Sequence, residues 1–283
     1  MIVTDQLAFF QLQKTGSTQV EKILVSHFGG EFITPKHERH DDFPYGNRLL
    51  SGGIRHPLDW YTSLWSFGCN KRGGFFKRMT RPRDQRPAKK RAEKQLSSCV
   101  LKLFPDAADI LAEAESRRDP AFWLRLYQDQ TDYGAFREWV LQIHQPENRF
   151  VAQEEFGFFN LFGNLGFFSF RYLKLYAASE ALLFSRPAPE MNTFEHLRAA
   201  SRVHHFVQTE RLESGLAELL RASGHEVPNN FVAHASGLER ANEMQRERNF
   251  FDFYTPKSLA FIESLDGLIG RYHGYDFAEQ SLT

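Results

Sequence analysis

The stretch Leu7–Phe28 reads LAFFQLQKTGSTQVEKILVSHF, and it decides the fold class. Its first part, Leu7–Leu12, is a short apolar run of the kind that forms a buried strand. The polar turn KTGST follows. Apolar residues then recur at helical spacing until two glycines end the helix: Val20, Ile23, Leu24 and Phe28, then Gly29 and Gly30. A strand, a tight turn and a helix in this order predict the opening unit of an α/β sheet.

The residue types of the turn KTGST suit an anion. Gly16 lets the backbone approach a ligand closely, and the amides and dipole of the following helical turn favour negative charge. Lys14 adds a positive charge, and Thr15, Ser17 and Thr18 add hydroxyl donors. The alternative is that Ser17 or Thr18 only caps the helix. The Lys precedes the Gly, which is not the G-K-[ST] order of a nucleoside-triphosphate loop.

A second polar turn follows a later strand. Glu31–Thr34 and Leu49–Ile54 are the next two predicted strands, and a proline then stands where a helix can begin. Arg55 lies at the end of the third strand, and Ser63 lies eight residues further on, about two turns into that helix. An Arg fork and a hydroxyl at this spacing can meet on one phosphate group. The alternative is that Arg55 pairs with Asp59.

The remaining sequence contains further helical patterns and one basic segment. Residues 96–116 and 120–144 are predicted to be helical, Val203–Val207 is a predicted late strand, and Pro256–Tyr272 is a predicted amphipathic helix. Residues 71–94 hold eleven Lys or Arg and only two acidic residues. This basic segment, with two prolines and two glycines, is predicted to be an exposed insertion or lid.

The composition excludes several classes of protein. The chain has 283 residues with 35 basic and 35 acidic side chains, so a globally basic nucleic-acid binder is not expected. Two cysteines, Cys69 and Cys99, cannot make a zinc site or a disulfide framework by themselves, which favours reduced thiols in the cytoplasm. No long apolar stretch and no signal-peptide pattern are present, so we expect neither a transmembrane segment nor a signal peptide.

Taken together, K-T-G-S-T after the first strand and R-H-P-x-x-x-x-x-S after a later one resemble the sulfotransferase family, especially its carbohydrate-acting and bacterial members. A weaker likeness continues at Phe253–Pro256 and Gly274–Phe277. The resemblance implies an α/β, P-loop-like three-layer fold in which helices flank a central, mostly parallel sheet. It implies a single domain over residues 1–283. It also implies 3′-phosphoadenosine-5′-phosphosulfate (PAPS) as sulfuryl donor, and no metal.

The resemblance also assigns roles to residues. It implies that the first turn holds the 5′-phosphosulfate of PAPS through Lys14, Thr15, Gly16, Ser17 and Thr18. It implies that the second turn holds the 3′-phosphate through Arg55 and Ser63. Lys14 would in addition stabilise the charge that grows on the leaving oxygen, which makes it a catalytic candidate. A loop before the last helix closes over the nucleotide in relatives, and here it offers Asn242, Arg246 and Arg248.

A general base must take the proton of the acceptor hydroxyl. Relatives carry that base, a His or a Glu, soon after the second strand. Here His37 is the first choice, because it comes soonest after the strand and follows a Lys, and a neutral imidazole suits this task. His40 and Glu38 stay open as alternatives, and a solvated loop or adventitious metal binding by the two histidines is the competing interpretation.

We therefore expect a sulfotransferase that acts on a hydroxyl of a carbohydrate or glycolipid. The basic segment 71–94 offers a surface for an anionic acceptor, or else it is a solvated loop. Phe156–Phe170 holds seven of the 28 Phe residues and is predicted to be either core or an aromatic wall of the acceptor site, with Asn160 and Asn164 as hydrogen-bonding groups. The alternatives are a kinase-like phosphoryl transferase and a non-catalytic nucleotide- or glycan-binding protein. The sequence leaves the oligomeric state open.

Overall fold

The computed structural model describes residues 1–82, 93–94, 96–152, 155–159, 165–179, 181–184, 193–238 and 249–278. The chain divides into two compact units. Unit 1 comprises Met1–His56, Arg171–Ser179 and Phe194–Glu247. Unit 2 comprises Pro57–Phe170, Glu180–Thr193 and Arg248–Thr283. The single domain over residues 1–283 stays a prediction.

One mixed sheet lies in unit 1. Its strands have the order β3-β1-β2-β4-β5 and the bounds β1 Ile2–Val3, β2 Leu7–Phe10, β3 Glu31–Phe32, β4 Leu49–Ile54 and β5 His205–Gln208. β2, β4 and β5 are parallel neighbours, whereas β1 is antiparallel to both β2 and β3. Four strands therefore run in one direction and β1 runs in the other. The fold is α/β, with a mostly but not fully parallel sheet flanked by helices.

The helices of unit 1 are α1 Ser17–His27, the second half of α9 Phe167–Tyr176, α11 Phe194–Ala200, α12 Leu212–Ala222 and α13 Phe231–Gly237. Two of them follow strands of the sheet, α1 after β2 and α12 after β5, and the others come from later parts of the chain. A 3₁₀ turn, Thr209–Arg211, joins β5 to α12. The helix after the turn KTGST is therefore confirmed.

Both faces of the sheet are covered within unit 1. On one face, Leu7 and Phe9 of β2 pack with apolar residues of three helices: Val20, Ile23 and Leu24 of α1, Leu212, Leu216 and Leu220 of α12, and Phe231 and Ala235 of α13. On the other face, Phe206 of β5 meets the rings of Tyr172 and Tyr176 of α9 at 5.7 and 5.2 Å. Alternate residues of β2 and β5 thus serve opposite layers.

The strand predictions are confirmed with shifted ends, and one strand is missed. Leu49–Ile54 is confirmed without change, and the first, second and late strands are shorter than predicted or shifted by one or two residues. β1 has two residues, which is too short for any periodicity to mark it. Because this missed strand runs against its neighbours, the sheet is mixed.

Unit 2 is built from helices. They are α2 Pro57–Cys69, α3 Gly74–Thr80, α4 Ser98–Leu103, α5 Ala107–Arg117, α6 Pro120–Arg125, α7 Tyr133–Gln142, α8 Pro146–Ala152, the first half of α9, α10 Ala181–Phe184 and α14 Pro256–Tyr272. The predictions of α2 and α14 are confirmed. The predicted helical stretches 96–116 and 120–144 are each divided into two helices, α4 and α5 in the first and α6 and α7 in the second. The caps Ser97, Asp119 and Asp132 begin three of them by accepting a backbone amide.

The Phe-rich segment supplies core of unit 2. Its described phenylalanines are all buried: Phe156, Phe158, Phe159, Phe167, Phe168 and Phe170. Phe156 meets Phe167 and Phe170 at ring distances of 5.2 and 5.4 Å, and Trp60 meets Phe167 at 5.8 Å. These rings therefore pack with one another, which favours the core interpretation over an acceptor wall. Asn160 and Asn164 lie outside the described residues.

Part of the basic segment is a packed helix. Residues 83–92 lie outside the described residues, but α3 occupies residues 74–80. Met79 is fully buried, the ring of Phe76 meets that of Tyr127 at 5.2 Å, and Arg78 Nε donates to the carbonyl of Val151 at 2.8 Å. α3 is therefore a packed helix, with Met79 buried and Phe75 and Phe76 half-buried, and the insertion or lid over residues 71–94 stays a prediction. None of the helices in the described part of the chain combines the length and apolar content of a bilayer-spanning helix.

Candidate functional site

The loop between β2 and α1, residues 11–16, has two backbone turns in the left-handed region. Lys14 has φ 62° and Gly16 has φ 68°, and Gly16 is the N-cap of α1. Residues other than glycine rarely adopt such φ values, so the contacts around Lys14 hold its backbone in this conformation. No side chain caps α1, which excludes the simple capping role weighed for Ser17 and Thr18. The loop therefore presents the N-terminus of α1 at the end of β2.

Two close approaches hold this loop in place. An ideal Cβ on Gly53 of β4 would lie 2.5 Å from Thr15 Oγ1, and one on Gly16 would lie 2.8 Å from Leu212 Cδ2. Thr15 is fully buried, and its hydroxyl donates to the carbonyl of Leu12 at 2.9 Å. Glycine at these two positions lets the loop sit directly against β4 and the start of α12. The structure thus uses the Thr15 hydroxyl within the loop.

Arg55 lies next to this loop. β2 and β4 are parallel neighbours, so their carboxyl ends share one edge of the sheet, which is where α/β folds bind ligands. Arg55 follows β4, is half-buried, and donates from Nη1 to the carbonyl of Lys14 at 3.1 Å. Glu210, which follows β5, accepts the backbone amide of His56 at 2.9 Å. Three strand ends therefore meet at this edge, with two cationic residues, Lys14 and Arg55, side by side.

His37 lies at the same edge with its ring fixed. Its backbone has φ 70°, and its Nδ1 lies 2.7 Å from the carbonyl oxygen of Gln11. Because a carbonyl only accepts, Nδ1 carries the proton and Nε2 has the lone pair of a neutral imidazole. The pKa of His37 is lowered to about 4, chiefly by burial; the contact with Gln11 raises it, and the charges of Arg171 and Lys36 contribute to the lowering. His37 is therefore neutral at pH 7, with Nε2 as its hydrogen-bond acceptor.

Arg171 is a cation that the sequence analysis did not single out. It comes from α9, is 7 % exposed, and donates from Nε to Gln13 Oε1 at 2.9 Å. Gln13 is the residue before Lys14, so a distant helix contributes positive charge to the loop. No sequence pattern marks Arg171, since it lies 158 residues from Gln13 in the chain.

The alternatives to His37 lie in other surroundings. The ring of His40 packs near Phe43 at 6.1 Å, and its carbonyl accepts the hydroxyl of Tyr45 at 2.5 Å. Glu38 is exposed, and its carbonyl accepts the hydroxyl of Thr34 at 3.2 Å. Among these three candidates, His37 is the one in hydrogen-bonding contact with the segment that leads into the loop.

Of the other predicted site residues that the structure describes, only Ser17 and Thr18 lie beside this loop. Ser63 is buried in α2 of unit 2, in the second turn of that helix as expected, while Arg55 belongs to unit 1. Their joint contact with one phosphate stays a prediction. Arg246, with Asn242 and Arg248, lies outside the described residues. Ser17 is buried and Thr18 half-buried at the start of α1, where the geometry of a helix N-terminus leaves backbone amides without intrahelical partners.

A separate buried polar cluster lies in unit 2. Asp266 of α14 is fully buried and accepts three hydrogen bonds, from the Tyr61 hydroxyl at 2.7 Å and from Ser169 N and Oγ at 2.9 and 2.6 Å. His144 Nδ1 lies 2.7 Å from the carbonyl of Val140, and its Nε2 accepts the amide of Phe167 at 3.1 Å. These contacts give hydrogen-bond partners to backbone amides in the first turn of α9, so the cluster has a structural role. Burial raises the pKa of Asp266 to about 6.

Within the described residues, no group of three or more His, Cys, Asp or Glu side chains has the arrangement of a metal site. Comparison with protein-family models, curated proteins and solved structures finds no match for this chain.

Proposed function

We propose that this protein is a sulfotransferase that moves a sulfuryl group from PAPS to a hydroxyl of a carbohydrate or glycolipid. One observation carries the proposal. The loop at residues 11–16 presents a helix N-terminus beside Lys14 and Arg55, and a neutral His37 is fixed on the backbone of the same loop. The arrangement thus places an anion-binding loop next to a base. The resemblance of the KTGST and RHP motifs to sulfotransferases indicates which reaction the two would carry out.

The residues present fit a donor with two anionic ends. The first turn of α1 offers amides and the hydroxyls of Ser17 and Thr18, and Lys14 adds a point charge. Arg55 is the proposed contact of the 3′-phosphate in unit 1, and a share of Ser63 in that contact stays a prediction from the sequence. When bound, PAPS supplies a sulfuryl group that is already activated by its bond to a phosphate.

His37 is the proposed general base. Its Nε2 accepts the proton of the acceptor hydroxyl while the acceptor oxygen forms its bond to sulfur. The bond between sulfur and the 5′-phosphate oxygen breaks, and its electron pair stays on that oxygen. Lys14 and the amides of α1 stabilise the negative charge that develops there. Because its pKa is about 4, His37 is neutral at pH 7, and it takes the proton only as the new bond forms.

The proposal includes a P-loop-like, three-layer arrangement and a cytoplasmic location, the latter from the two cysteines. The layers are supported by helices on both faces of the unit 1 sheet. It also includes no nucleic-acid partner and no metal requirement. The acceptor is proposed to be an anionic or neutral glycan, because Arg171 and Lys36 make the surroundings of His37 positive.

Transfer of labelled sulfate from PAPS tests the proposal. Purified protein is incubated with labelled PAPS and a panel of glycans, glycolipids and phenols. We expect transfer to at least one hydroxyl acceptor, and His37→Ala should reduce turnover by about 10²–10⁴ with unchanged donor affinity.

His40→Ala and Glu38→Ala are the matched controls and should retain most activity. If either control abolishes transfer while His37→Ala does not, the assignment of the base is wrong. Binding of the nucleotide without transfer to any acceptor would favour a non-catalytic binding protein, and transfer of phosphate from ATP would favour a kinase.

A further inference from the structure

A charge pair connects α1 to the segment that carries His37. Lys36 Nζ lies 2.6 Å from Glu21 Oε2 and donates to Thr18 Oγ1 at 3.3 Å. The same Glu21 oxygen accepts Gln11 Nε2 at 3.0 Å. One carboxylate oxygen thus holds both the neighbour of His37 in sequence and the residue whose carbonyl holds the His37 ring.

The contacts of Gln11 make this junction rigid. Gln11 is fully buried, its carbonyl faces His37 Nδ1, and its side-chain nitrogen is bound to Glu21. Its side-chain oxygen has no hydrogen-bond partner within the described residues. The contact with Glu21 therefore orients the side-chain amide of Gln11. The backbone carbonyl of the same residue accepts the hydrogen bond from the His37 ring.

Charges face His37 from several elements. Arg171 approaches from α9, Lys36 precedes His37 in the same segment, and the amino group of Met1 lies at the start of β1. All three oppose the uptake of a proton by the imidazole. Glu21 of α1 is the carboxylate in direct contact with one of these cations, at a side-chain exposure of 20 %.

We propose that Glu21 and Lys36 act as a positioning pair that fixes the His37 segment on α1 and sets how readily His37 accepts a proton. The catalytic part of this inference rests on the proposed function, in which His37 is the base. Lys36 disfavours the charged imidazole, and Glu21 partly neutralises Lys36. Loss of Lys36 should therefore raise the pKa of His37, and loss of Glu21 should lower it.

The opposite signs of the two expected pKa changes distinguish this electrostatic role from a purely structural one. If the pair only held the segment in place, breaking it from either side would expose His37 to water in the same way. The pKa would then move towards its ordinary value in both variants. A change of opposite sign requires that the two charges themselves act on the imidazole.

Nuclear magnetic resonance of the imidazole nitrogens tests the proposal without any substrate. The His37 signals are assigned as those lost in His37→Gln, and the pKa is measured in Lys36→Met and Glu21→Gln. We expect an increase in Lys36→Met and a decrease in Glu21→Gln, each on the order of 0.3–1 pH unit for charges at such range. Lys22→Met on α1 and Glu218→Gln on α12 are exposed charge controls and should leave the pKa unchanged.

Two further measurements keep the test decisive. Lys36→Arg retains the charge and should restore the pKa of the unmodified protein, even if Lys36→Met is too unstable to titrate. In the transfer assay, the acidic limb of kcat/KM against pH should move in the same directions as the pKa. If the pKa of His37 shifts in the same direction in Lys36→Met and Glu21→Gln, or shifts in neither, the proposal of a positioning pair is wrong. Opposite shifts in a chain without sulfate transfer would support the pair and reject the proposed function.

Discussion

Replacement of Gly16 with Ala perturbs the loop on which the anion site depends. At φ 68° an L side chain adds about 1–2 kcal/mol of backbone strain. An ideal Cβ would also lie 2.8 Å from Cδ2 and 3.2 Å from Cδ1 of Leu212, a residue 4 % exposed in the core beneath α1. Such overpacking adds about 1–3 kcal/mol, and the stiffer unfolded chain returns about 0.4–1 kcal/mol. The expected loss of unfolding free energy is therefore roughly 1–5 kcal/mol.

Gly29→Ala is the matched control, because Gly29 has φ 64° at the other end of α1 and nothing lies within 4 Å of its ideal Cβ. It should lose only about 1 kcal/mol. Urea unfolding followed by circular dichroism measures both variants, and titration calorimetry measures their affinity for 3′-phosphoadenosine-5′-phosphate (PAP). Gly16→Ala should bind PAP more weakly, and Gly29→Ala should bind it like the unmodified protein. Equal losses of stability in the two variants would refute the contact with Leu212 and the placement of the loop.

Three other perturbations have defined outcomes. Arg55→Ala should weaken PAP binding by about 1.5–3 kcal/mol through loss of a charge-assisted hydrogen bond, while Arg221→Ala, an exposed control, should not, as calorimetry would show. His37 has a folded pKa of about 4 against an ordinary 6.5, so its contribution to stability is present above pH 6.5 and is lost as pH falls to about 4. His37→Gln should remove up to roughly 3 kcal/mol of that pH dependence in urea unfolding, and an unchanged slope would contradict the burial of the imidazole. Gly53→Ala should destabilise the protein by about 1–3 kcal/mol and weaken PAP binding, because its Cβ meets Thr15 Oγ1 at 2.5 Å; wild-type affinity would contradict this packing.

The local part of the fold was readable from the sequence. The bounds of β4 and α14 follow from apolar spacing together with the prolines that begin α2 and α14, and these signals lie within a few residues of each other. β1 was missed because two residues carry no period. The helical stretches predicted over 96–116 and 120–144 are present, but each is divided, at residues 104–106 and 126–132, and the apolar pattern that runs through both breaks does not show them.

The candidate site was readable only in its local motifs. The turn KTGST and Arg55 stand in sequence patterns, and the structure brings Arg55 to the carbonyl of Lys14. Arg171 reaches the same region from a helix whose sequence carries no motif, and Glu21 lies on α1 beyond the KTGST turn, so only the fold reveals their contacts. The protonation state of His37 likewise depends on a backbone carbonyl, which every residue possesses and which no sequence pattern can select.

Competitive nucleotide binding tests the central claim most directly. Titration calorimetry compares PAP with ATP plus Mg²⁺ on the same protein, and Arg55→Ala is measured beside it. The account predicts at least about tenfold tighter binding of PAP, which is about 1.4 kcal/mol, and loss of most of that preference in Arg55→Ala. Tighter binding of ATP with Mg²⁺, or no binding of PAP, would contradict the sulfotransferase assignment.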